Sequence, residues 1–376
     1  MSGIYIHIPF CSQACHYCDF HFSTVLKNKA KVIEAITNEI KLRKNDFKLN
    51  FSSLYFGGGT PSVLKKEELN QIIQAIKEEI KFEKLKEITI EINPEDISGR
   101  KLEQYRDLGF NRLSIGVQSM NNKFLKWMNR AHNKNQIIQA VNLCKSVGFN
   151  NLSLDFIYGL PSHFKRDYKK ELLELIELNP THISCYHLTI ESGTYFGHLK
   201  KNKMLNEIED DKSEQEFLWI SNTLKKANYN HYEISNFSKK GCSSFHNSNY
   251  WKQRPYVGIG PSAHSFNVKK RRWNISNNTT YCNKIKTNKS YFEEEVLSSL
   301  DVFNERIMLG LRTEKGFKIN EVLKYINKNQ QESFKNKLET LIEDGLVIIK
   351  GQVIKMPQNK WLMSEYVSRE LFILSE

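Results

Sequence analysis

The sequence predicts an α/β fold built on parallel strands, and three observations support that prediction. Over the first 235 residues, short apolar stretches of strand character alternate with stretches whose apolar residues recur at helical spacing. Gly109 and Gly148 end two of the helical stretches, and each is followed by Phe and a new strand. Polar residues recur where the predicted strands end. Together these features indicate repeated βα units with parallel strands.

The strand-like stretches define the units of this fold in chain order. They are GIYIHI, SLYF, EITIEI, RLSIGV, LSLDFIYG, HISCYHLTI and HYEIS. Helical periods lie between them, as in the apolar residues from Leu69 to Ile80 and from Ile137 to Cys144. About six units fit into residues 1–235, which is fewer than the eight of a closed barrel. We therefore predict an open, partial (β/α)6 barrel, with a doubly wound sheet as the alternative.

Two further regions follow the predicted barrel. Residues 236–300 begin with a stretch rich in Ser, Asn, Gly and aromatic residues that has no clear period. This composition predicts an ordered irregular segment packed beside the barrel mouth. Residues 301–376 return to a helical pattern, and FKNKLETLIEDGLVIIKGQVIKM predicts a helix followed by a hairpin that turns at Lys350 and Gly351. The last region therefore resembles a small, helical winged-helix domain.

Length and composition limit the class of protein. The chain has 376 residues, of which 40% are apolar and 26% are charged. It has no run of about 18 apolar residues and no apolar segment typical of a signal peptide, so we expect a cytoplasmic protein. The formal net charge of +13 is spread along the chain rather than concentrated in one patch. We therefore do not expect a nucleic-acid partner.

Three of the seven cysteines form a cluster. Cys11, Cys15 and Cys18 lie within eight residues, and the other four are isolated. Three thiols can hold one metal centre, but structural zinc and a fully coordinated cubane iron–sulfur cluster take four ligands. If three thiolates hold three irons of a [4Fe–4S] cluster, the fourth iron stays open. The amine and carboxylate of an amino acid could then bind it.

The polar residues at the strand ends follow the order of the strands. The cysteine loop follows the first strand, and the stretch GGGTP from Gly57 to Pro61 follows the second. Glu91 ends the third strand, Gln118 follows the fourth and Asp155 lies in the fifth. Because the carboxyl ends of parallel strands meet at one mouth of a barrel, we expect one common site. A glycine-rich loop offers exposed backbone groups to an aminoacyl moiety, and carboxylates can accept hydrogen bonds from an amine or a ribose.

The motif CxxxCxxC after the first strand, with GGGTP after the second, resembles the radical S-adenosylmethionine (SAM) superfamily. That resemblance implies a [4Fe–4S] cluster whose open iron binds the methionine part of SAM. Six longer strings resemble the oxygen-independent coproporphyrinogen dehydrogenase group, and within it the heme chaperones. These strings are IYIHIPFC, YFGGGTPS, RLSIGVQS, DFIYGLP, HNSNYW and GIGPSAHS. They lie between residue 4 and about residue 273, and the rest of the chain fits more loosely.

The resemblance implies a role for each matching residue. Cys11, Cys15 and Cys18 would hold the cluster, and Tyr5 would stack at the cluster and SAM. The other residues implied to contact SAM are Gly58, Gly59, Thr60, Glu91, Gln118, Arg130 and Asp155. Arg130 lies in WMNRAHNKNQ, and the sequence pattern alone does not distinguish it from a cation on a helix surface.

The string HNSNYW matches the HNxxYW pattern that the resemblance associates with heme. It implies that His246 contributes to heme binding, most directly as an axial ligand of the iron. A structural hydrogen bond is the alternative role, in which case Cys242 and His264 are the next candidate ligands. We expect the segment to fold back toward the barrel mouth, with Lys252 and Arg254 near the heme propionates.

The resemblance leaves two functions in porphyrin metabolism open. The first is a heme chaperone that transfers heme to acceptor proteins, among which membrane-associated respiratory enzymes are candidates. The second is an enzyme that decarboxylates coproporphyrinogen III through a 5′-deoxyadenosyl radical. The enzyme's motif continues as CxxxCxxCxC, whereas Cys18 is followed here by Asp19 and Phe20, so we do not expect that activity. DNA binding by the winged helix ranks third, because the helix FKNKLETLIEDGL has no basic face.

Overall fold

Six parallel strands in chain order form the centre of the structure, a computed structural model that describes residues 2–374. They are β1 (Ser2–Ile8), β2 (Phe51–Gly58), β3 (Glu87–Ile92), β4 (Arg112–Gln118), β5 (Leu152–Tyr158) and β6 (His182–His187). Each pairs in parallel with the next along the chain. These strands are buried nearly throughout, as parallel strands covered by helices must be.

Helices connect the parallel strands. They are α1 (Lys29–Leu42), α2 (Lys66–Glu79), α3 (Gly99–Asp107), α4 (Asn122–Trp127), α5 (Lys134–Ser146) and α6 (Tyr168–Glu177). Their apolar residues are buried at helical spacing, as at Leu69, Ile72 and Ile76 in α2. Gly109 and Gly148 follow α3 and α5 with φ of 92° and 93°, a conformation that favours glycine at a helix end. The predicted α/β partial barrel is therefore confirmed.

The sheet continues beyond both ends of the parallel set. After α7 (Tyr195–Lys201) and α8 (Asp210–Lys226), strands β7 (Asn230–Glu233) and β8 (Asn236–Ser238) form a hairpin whose β8 pairs antiparallel to β6. On the other side β9 (Tyr256–Ile259) pairs parallel to β1. Three antiparallel strands complete that edge: β10 (His264–Phe266), β11 (Lys270–Asn274) and β12 (Phe292–Val296). The sheet has twelve described strands and is open.

Residues 236–300 contain more regular structure than their sequence suggests. Besides β8 to β12 they hold α9 (Phe245–Trp251) and α10 (Asn278–Lys286). The strands have only three to five residues, and Ser262 and Val268 between them have φ of 63° and 75°. Such short strands, separated by residues in turn conformations, do not produce a hydrophobic period that can be recognised in the sequence.

The last part of the chain has the element order of a winged helix. Its helices are α11 (Ser299–Leu311), α12 (Ile319–Leu323), α13 (Lys328–Glu343) and α14 (Ser364–Leu371). Its three-stranded sheet contains β13 (Phe317–Lys318), β14 (Ile348–Lys350) and β15 (Val353–Lys355). The predicted hairpin at Lys350 and Gly351 is present as β14 and β15. Backbone hydrogen bonds from Ile234 to Arg312 and from Glu314 to Tyr232 join this part to the barrel.

Buried apolar side chains of the barrel and of the C-terminal helices form one continuous core. Within residues 2–374, no helix has the length and apolar character needed to cross a lipid bilayer.

Candidate functional site

The cysteine loop begins directly after β1 and is closed at its base by backbone contacts. Phe10 and Ser23 form a parallel bridge, and the amide of Cys11 donates a hydrogen bond of 3.1 Å to the carbonyl of Ser23. The side chain of Cys11 is buried, and those of Cys15 and Cys18 are partly exposed. All three thiols line the same cavity at the carboxyl ends of the strands.

Two side chains from other elements contact these thiols. Oγ1 of Thr60 donates to Sγ of Cys11 at 3.3 Å, and Nη1 of Arg130 donates to Sγ of Cys15 at 3.3 Å. Burial raises the pKa of Cys11 to about 11 and that of Cys18 to about 12. Because thiolates and not thiols bind iron, metal binding must release protons from these groups.

The three thiols suit a cluster better than a single ion. Within residues 2–374, no three His, Cys, Asp or Glu side chains converge on a point where one ion could bind. A cubane [4Fe–4S] cluster offers each thiolate its own iron, so the three sulfur atoms do not need to converge. The donor set and its cavity therefore fit such a cluster with one iron left open.

The glycine loop holds the start of the cysteine loop in place. The amide of Gly59 donates to the carbonyl of Ile8 at 2.9 Å, and the amide of Thr60 donates to that of Phe10 at 2.7 Å. A Cβ atom at Gly59 would lie 2.6 Å from the carbonyl oxygen of Phe10. These amides are thus already bonded, which differs from the expectation that the loop offers them to a ligand. Glycine is required here because two stretches of backbone approach closely.

The cavity has a volume of about 500 Å³ and collects the residues predicted from the strand ends. The predicted residues among its lining are Cys11, Cys15, Cys18, Gly58, Gly59, Thr60, Glu91, Gln118, Arg130 and Asp155. The size is within the range of small-molecule and cofactor sites. Of the residues predicted to bind the cluster or SAM, only Tyr5 does not line it.

Two carboxylates lie in the wall of this cavity. Oε1 of Glu91 accepts a hydrogen bond from the hydroxyl of Tyr55 at 2.7 Å, and Oε2 accepts one from the amide of Gly58 at 3.2 Å. The hydroxyl of Ser114 donates to Asp155 at 3.4 Å. Burial raises the pKa of Glu91 to about 7 and that of Asp155 to about 6. Both groups can therefore accept hydrogen bonds from a cationic or hydroxylated ligand, and a cationic ligand would favour their ionised form.

Arg130 and Gln118 form the side of the cavity next to β4. Nη2 of Arg130 donates to Oδ1 of Asn93 at 2.6 Å and to the carbonyl of Gly116 at 2.8 Å. Arg130 is thus fixed inside the site and is not a cation on a helix surface. Gln118 has φ of 67°, a left-handed conformation that is uncommon for a residue with a side chain and occurs often at functional sites.

Tyr5 lies outside the cysteine cavity. Its hydroxyl donates to Nδ1 of His7 at 3.2 Å, and its ring stacks on that of Tyr55 with 6.1 Å between centroids. Tyr5 lines a second cavity that adjoins the first. The role of Tyr5 at the cluster stays a prediction, since its cavity shares Asp19 and Phe20 with the cysteine cavity.

The sequence predicts that HNSNYW folds back toward the barrel mouth, but its start lies at the amino ends of the strands, and its Tyr250 lines the second cavity beside the mouth. The motif forms most of α9, and the amides of Phe245 and His246 donate to the carboxylate of Glu87 at the amino end of β3. The His246 side chain is 2% exposed, with Nδ1 3.0 Å from Oγ of Ser53 and Nε2 2.8 Å from Oη of Tyr250. Both ring nitrogens are engaged, so neither is free to bind iron in this arrangement.

The other residues considered for heme are dispersed. Cys242 lies in the turn after β8, whereas His264 begins β10 and lines the same cavity as Tyr5. Lys252 and Arg254 line a different cavity, between α9 and the C-terminal region. The structure therefore does not bring these two cations together with His264.

Several polar residues in or beside this cavity were not predicted from the sequence, among them Asn93, His187 and Tyr55. Asn93 directly follows β3, and His187 ends β6 with its Nε2 buried and without a hydrogen-bond partner within residues 2–374. Both are polar residues at the carboxyl end of a strand, so the signal that identified Glu91 could have identified them. Tyr55 lies within β2 and has no such signal, because a tyrosine is common in strands.

Comparison with protein families agrees with this geometry. Residues 5–176 match the model of the Radical SAM superfamily, and residues 297–362 match the HemN C-terminal domain. The heme chaperone HemW of Lactococcus lactis subsp. lactis is 33% identical over the whole chain and 98% of the relative. HemW of Bacillus subtilis is 29% identical over 92% of this chain and 93% of the relative.

A solved structure has the same fold. It is the coproporphyrinogen III oxidase HemN of Escherichia coli, described as a radical SAM enzyme. The two structures align with a TM-score of 0.84 over 98% of this chain and 89% of HemN, at 20% sequence identity. At that identity the comparison shows a common fold, and activity must be argued from the site.

Proposed function

The chain belongs to the family of the heme chaperone HemW within the radical SAM superfamily, and from that membership we propose that it binds heme and delivers it to acceptor proteins. The observation that carries the proposal is the cavity that three thiols of one loop share with two carboxylates from strands β3 and β5 and with Arg130, which follows α4. This donor set suits a [4Fe–4S] cluster with an open iron and a ligand such as SAM, the two cofactors of the superfamily.

We propose that Cys11, Cys15 and Cys18 hold the cluster. When bound, the cluster supplies an electron and an open coordination site for the amine and carboxylate of SAM. The remaining lining residues hold SAM beside it: Gly58, Gly59 and Thr60 shape the loop, and Glu91, Gln118, Arg130 and Asp155 contact its polar groups. The charges of Glu91, Asp155 and Arg130 support this assignment, since SAM is a cation with an ammonium, a carboxylate and ribose hydroxyls.

The acceptors of the heme belong to the same proposal. A chaperone must release its cargo to an apo-protein, and membrane-associated respiratory enzymes are one class of acceptor.

We also propose three functional regions: the radical SAM core (1–235), the region containing HNxxYW (236–300) and the winged-helix-like region (301–376). Strands of the second region extend the core sheet on both sides, β8 next to β6 and β9 next to β1, which supports a close association of the first two regions.

One experiment separates the chaperone from an enzyme of the same fold. The chain is reconstituted anaerobically with iron and sulfide and then titrated with heme and SAM beside an assay of coproporphyrinogen III decarboxylation. Stable heme binding, heme transfer to an apo-cytochrome and no decarboxylation are expected. Robust decarboxylation would overturn the proposal, and HemN serves as the positive control.

A further inference from the structure

A second cavity of about 500 Å³ adjoins the cysteine cavity, and Asp19 and Phe20 line both. Its walls carry aromatic and imidazole rings. They include those of Tyr5, His7, His21, Tyr250, Tyr256 and His264. Tyr250 is the tyrosine of HNSNYW, so this motif reaches a cavity through Tyr250 and not through His246. Such a cavity suits a large, flat and mostly apolar ligand.

His264 is the imidazole of this cavity that is best prepared to bind a metal. Its side chain is exposed, and its Nδ1 lies 3.1 Å from the carbonyl oxygen of Ser262. Because a carbonyl only accepts hydrogen bonds, Nδ1 carries the proton and Nε2 keeps its lone pair. Within residues 2–374, Nε2 has no hydrogen-bond partner. A backbone carbonyl that holds the second ring nitrogen is typical of histidines that bind metals.

The other imidazoles nearby are less available. Nε2 of His7 donates to the carbonyl of His21 at 2.9 Å, and its Nδ1 accepts from Tyr5. Nε2 of His21 lies 2.8 Å from Oδ1 of Asn278, so only Nδ1 of His21 could bind iron. His21 is therefore the second candidate for the axial ligand. Arg271 in the same cavity is paired with Glu305 at 2.7 Å, so we do not assign it a propionate of the heme.

Resting on the proposed heme-carrying function, we propose that heme binds in this second cavity with Nε2 of His264 as an axial ligand of the iron. The rings of Tyr250 and Tyr256, whose centroids lie 4.7 Å apart, form an apolar wall for the macrocycle. His246 is then a positioning residue, because its Nε2 holds the hydroxyl of Tyr250. Since Asp19 and Phe20 are common to both cavities, the heme lies next to the cysteine loop.

The test compares His264→Ala and His246→Ala in the reconstituted full-length chain. Heme titrations give the affinity, and the Soret band and the paramagnetic resonance spectrum of ferric heme give the ligand. His264→Ala should lower heme affinity by about tenfold or more and change both spectra. Imidazole added in solution should restore them. His246→Ala should lower the affinity and leave the spectra of the bound heme unchanged. Both variants should keep the cluster and SAM binding.

Three results would overturn the assignment. These are unchanged spectra in His264→Ala, changed spectra in His246→Ala, or changed spectra only in His21→Ala, which would make His21 the ligand. Failure of the proposed function has a different signature, because the unsubstituted chain would then bind no heme at all. Misfolding is not expected to obscure the result, since the side chain of His264 is exposed.

Discussion

The hydroxyl of Tyr55 donates a hydrogen bond of 2.7 Å to Oε1 of Glu91. The Tyr55 ring also stacks on the ring of His246 in α9, with 4.9 Å between the centroids. The second oxygen of Glu91 accepts from the amide of Gly58. One carboxylate therefore joins the glycine loop, which adjoins the cysteines, to the helix that carries HNSNYW.

The first prediction concerns the charge of Glu91 in Tyr55→Phe. The pKa of Glu91 is about 7, because burial and the nearby Asp155 raise it by more than the Tyr55 hydrogen bond, the Gly58 amide and Arg112 lower it. Loss of the hydroxyl should therefore raise this pKa. If SAM requires the carboxylate, its affinity should fall at neutral pH and recover at higher pH. Calorimetric titrations of reconstituted protein across pH measure this, and an unchanged pH midpoint would contradict it.

The second prediction concerns the stability of the protein without cofactors. The pKa of Glu91 is about 7 in the folded state and near 4.5 when exposed, so the folded state binds a proton that the unfolded state releases between these values. Stability from this group is thus complete below pH 4.5 and is lost as the pH rises through about 7. Above about pH 7, the free energy of unfolding of Glu91→Gln should exceed that of the unsubstituted chain by up to about 3 kcal/mol, because each pKa unit corresponds to about 1.4 kcal/mol.

Urea unfolding at acidic and alkaline pH measures this difference in the free energy of unfolding. The matched control is Asp155→Asn, because burial also raises the pKa of Asp155, to about 6. Asp155→Asn should also have a higher free energy of unfolding than the unsubstituted chain at alkaline pH, by a smaller amount. A difference between Glu91→Gln and the unsubstituted chain that does not vary with pH would refute the explanation.

The third prediction concerns the cluster ligands. The triple substitution of Cys11, Cys15 and Cys18 by Ala should abolish the oxygen-sensitive [4Fe–4S] cluster, which iron analysis and Mössbauer spectra detect. Cys242→Ala is the control, since its thiol does not line the cysteine cavity and, within residues 2–374, its only hydrogen bond is to the carbonyl of Lys240 at 3.9 Å. A full cluster in the triple variant, or its loss in the control, would refute the assignment.

Much of the fold and most of this site could be predicted from the sequence. Parallel strands place their carboxyl ends together, so Glu91, Gln118 and Asp155 could be assigned to one mouth from their positions alone. His246 could not be placed in this way, because its location depends on the bond between the α9 amides and Glu87, which lies 159 residues earlier. Neither hydrophobic periodicity nor a sequence motif reveals such a long-range contact.

The fourth prediction concerns the glycine loop. Gly58 has φ of 105°, and a Cβ atom there would lie 2.5 Å from the ring of His7. At Gly59 a Cβ atom would collide with backbone, so Gly59→Ala must distort the link between the two loops. Both substitutions should weaken SAM binding, and Gly59→Ala should also weaken the cluster. Gly99→Ala, with open space around the Cβ position, is the control. Unchanged SAM affinity in both loop variants would contradict this prediction.

The fifth prediction concerns Arg130 and the electronic properties of the cluster. Its guanidinium donates to Sγ of Cys15, and hydrogen bonds and positive charge near a cluster sulfur stabilise the reduced state. Arg130→Met should therefore shift the reduction potential of the cluster to more negative values, with a smaller shift in Arg130→Lys, which keeps the charge but not the planar geometry. A redox titration monitored by paramagnetic resonance measures both variants. Equal potentials in all three proteins would refute an electronic effect of Arg130 on the cluster.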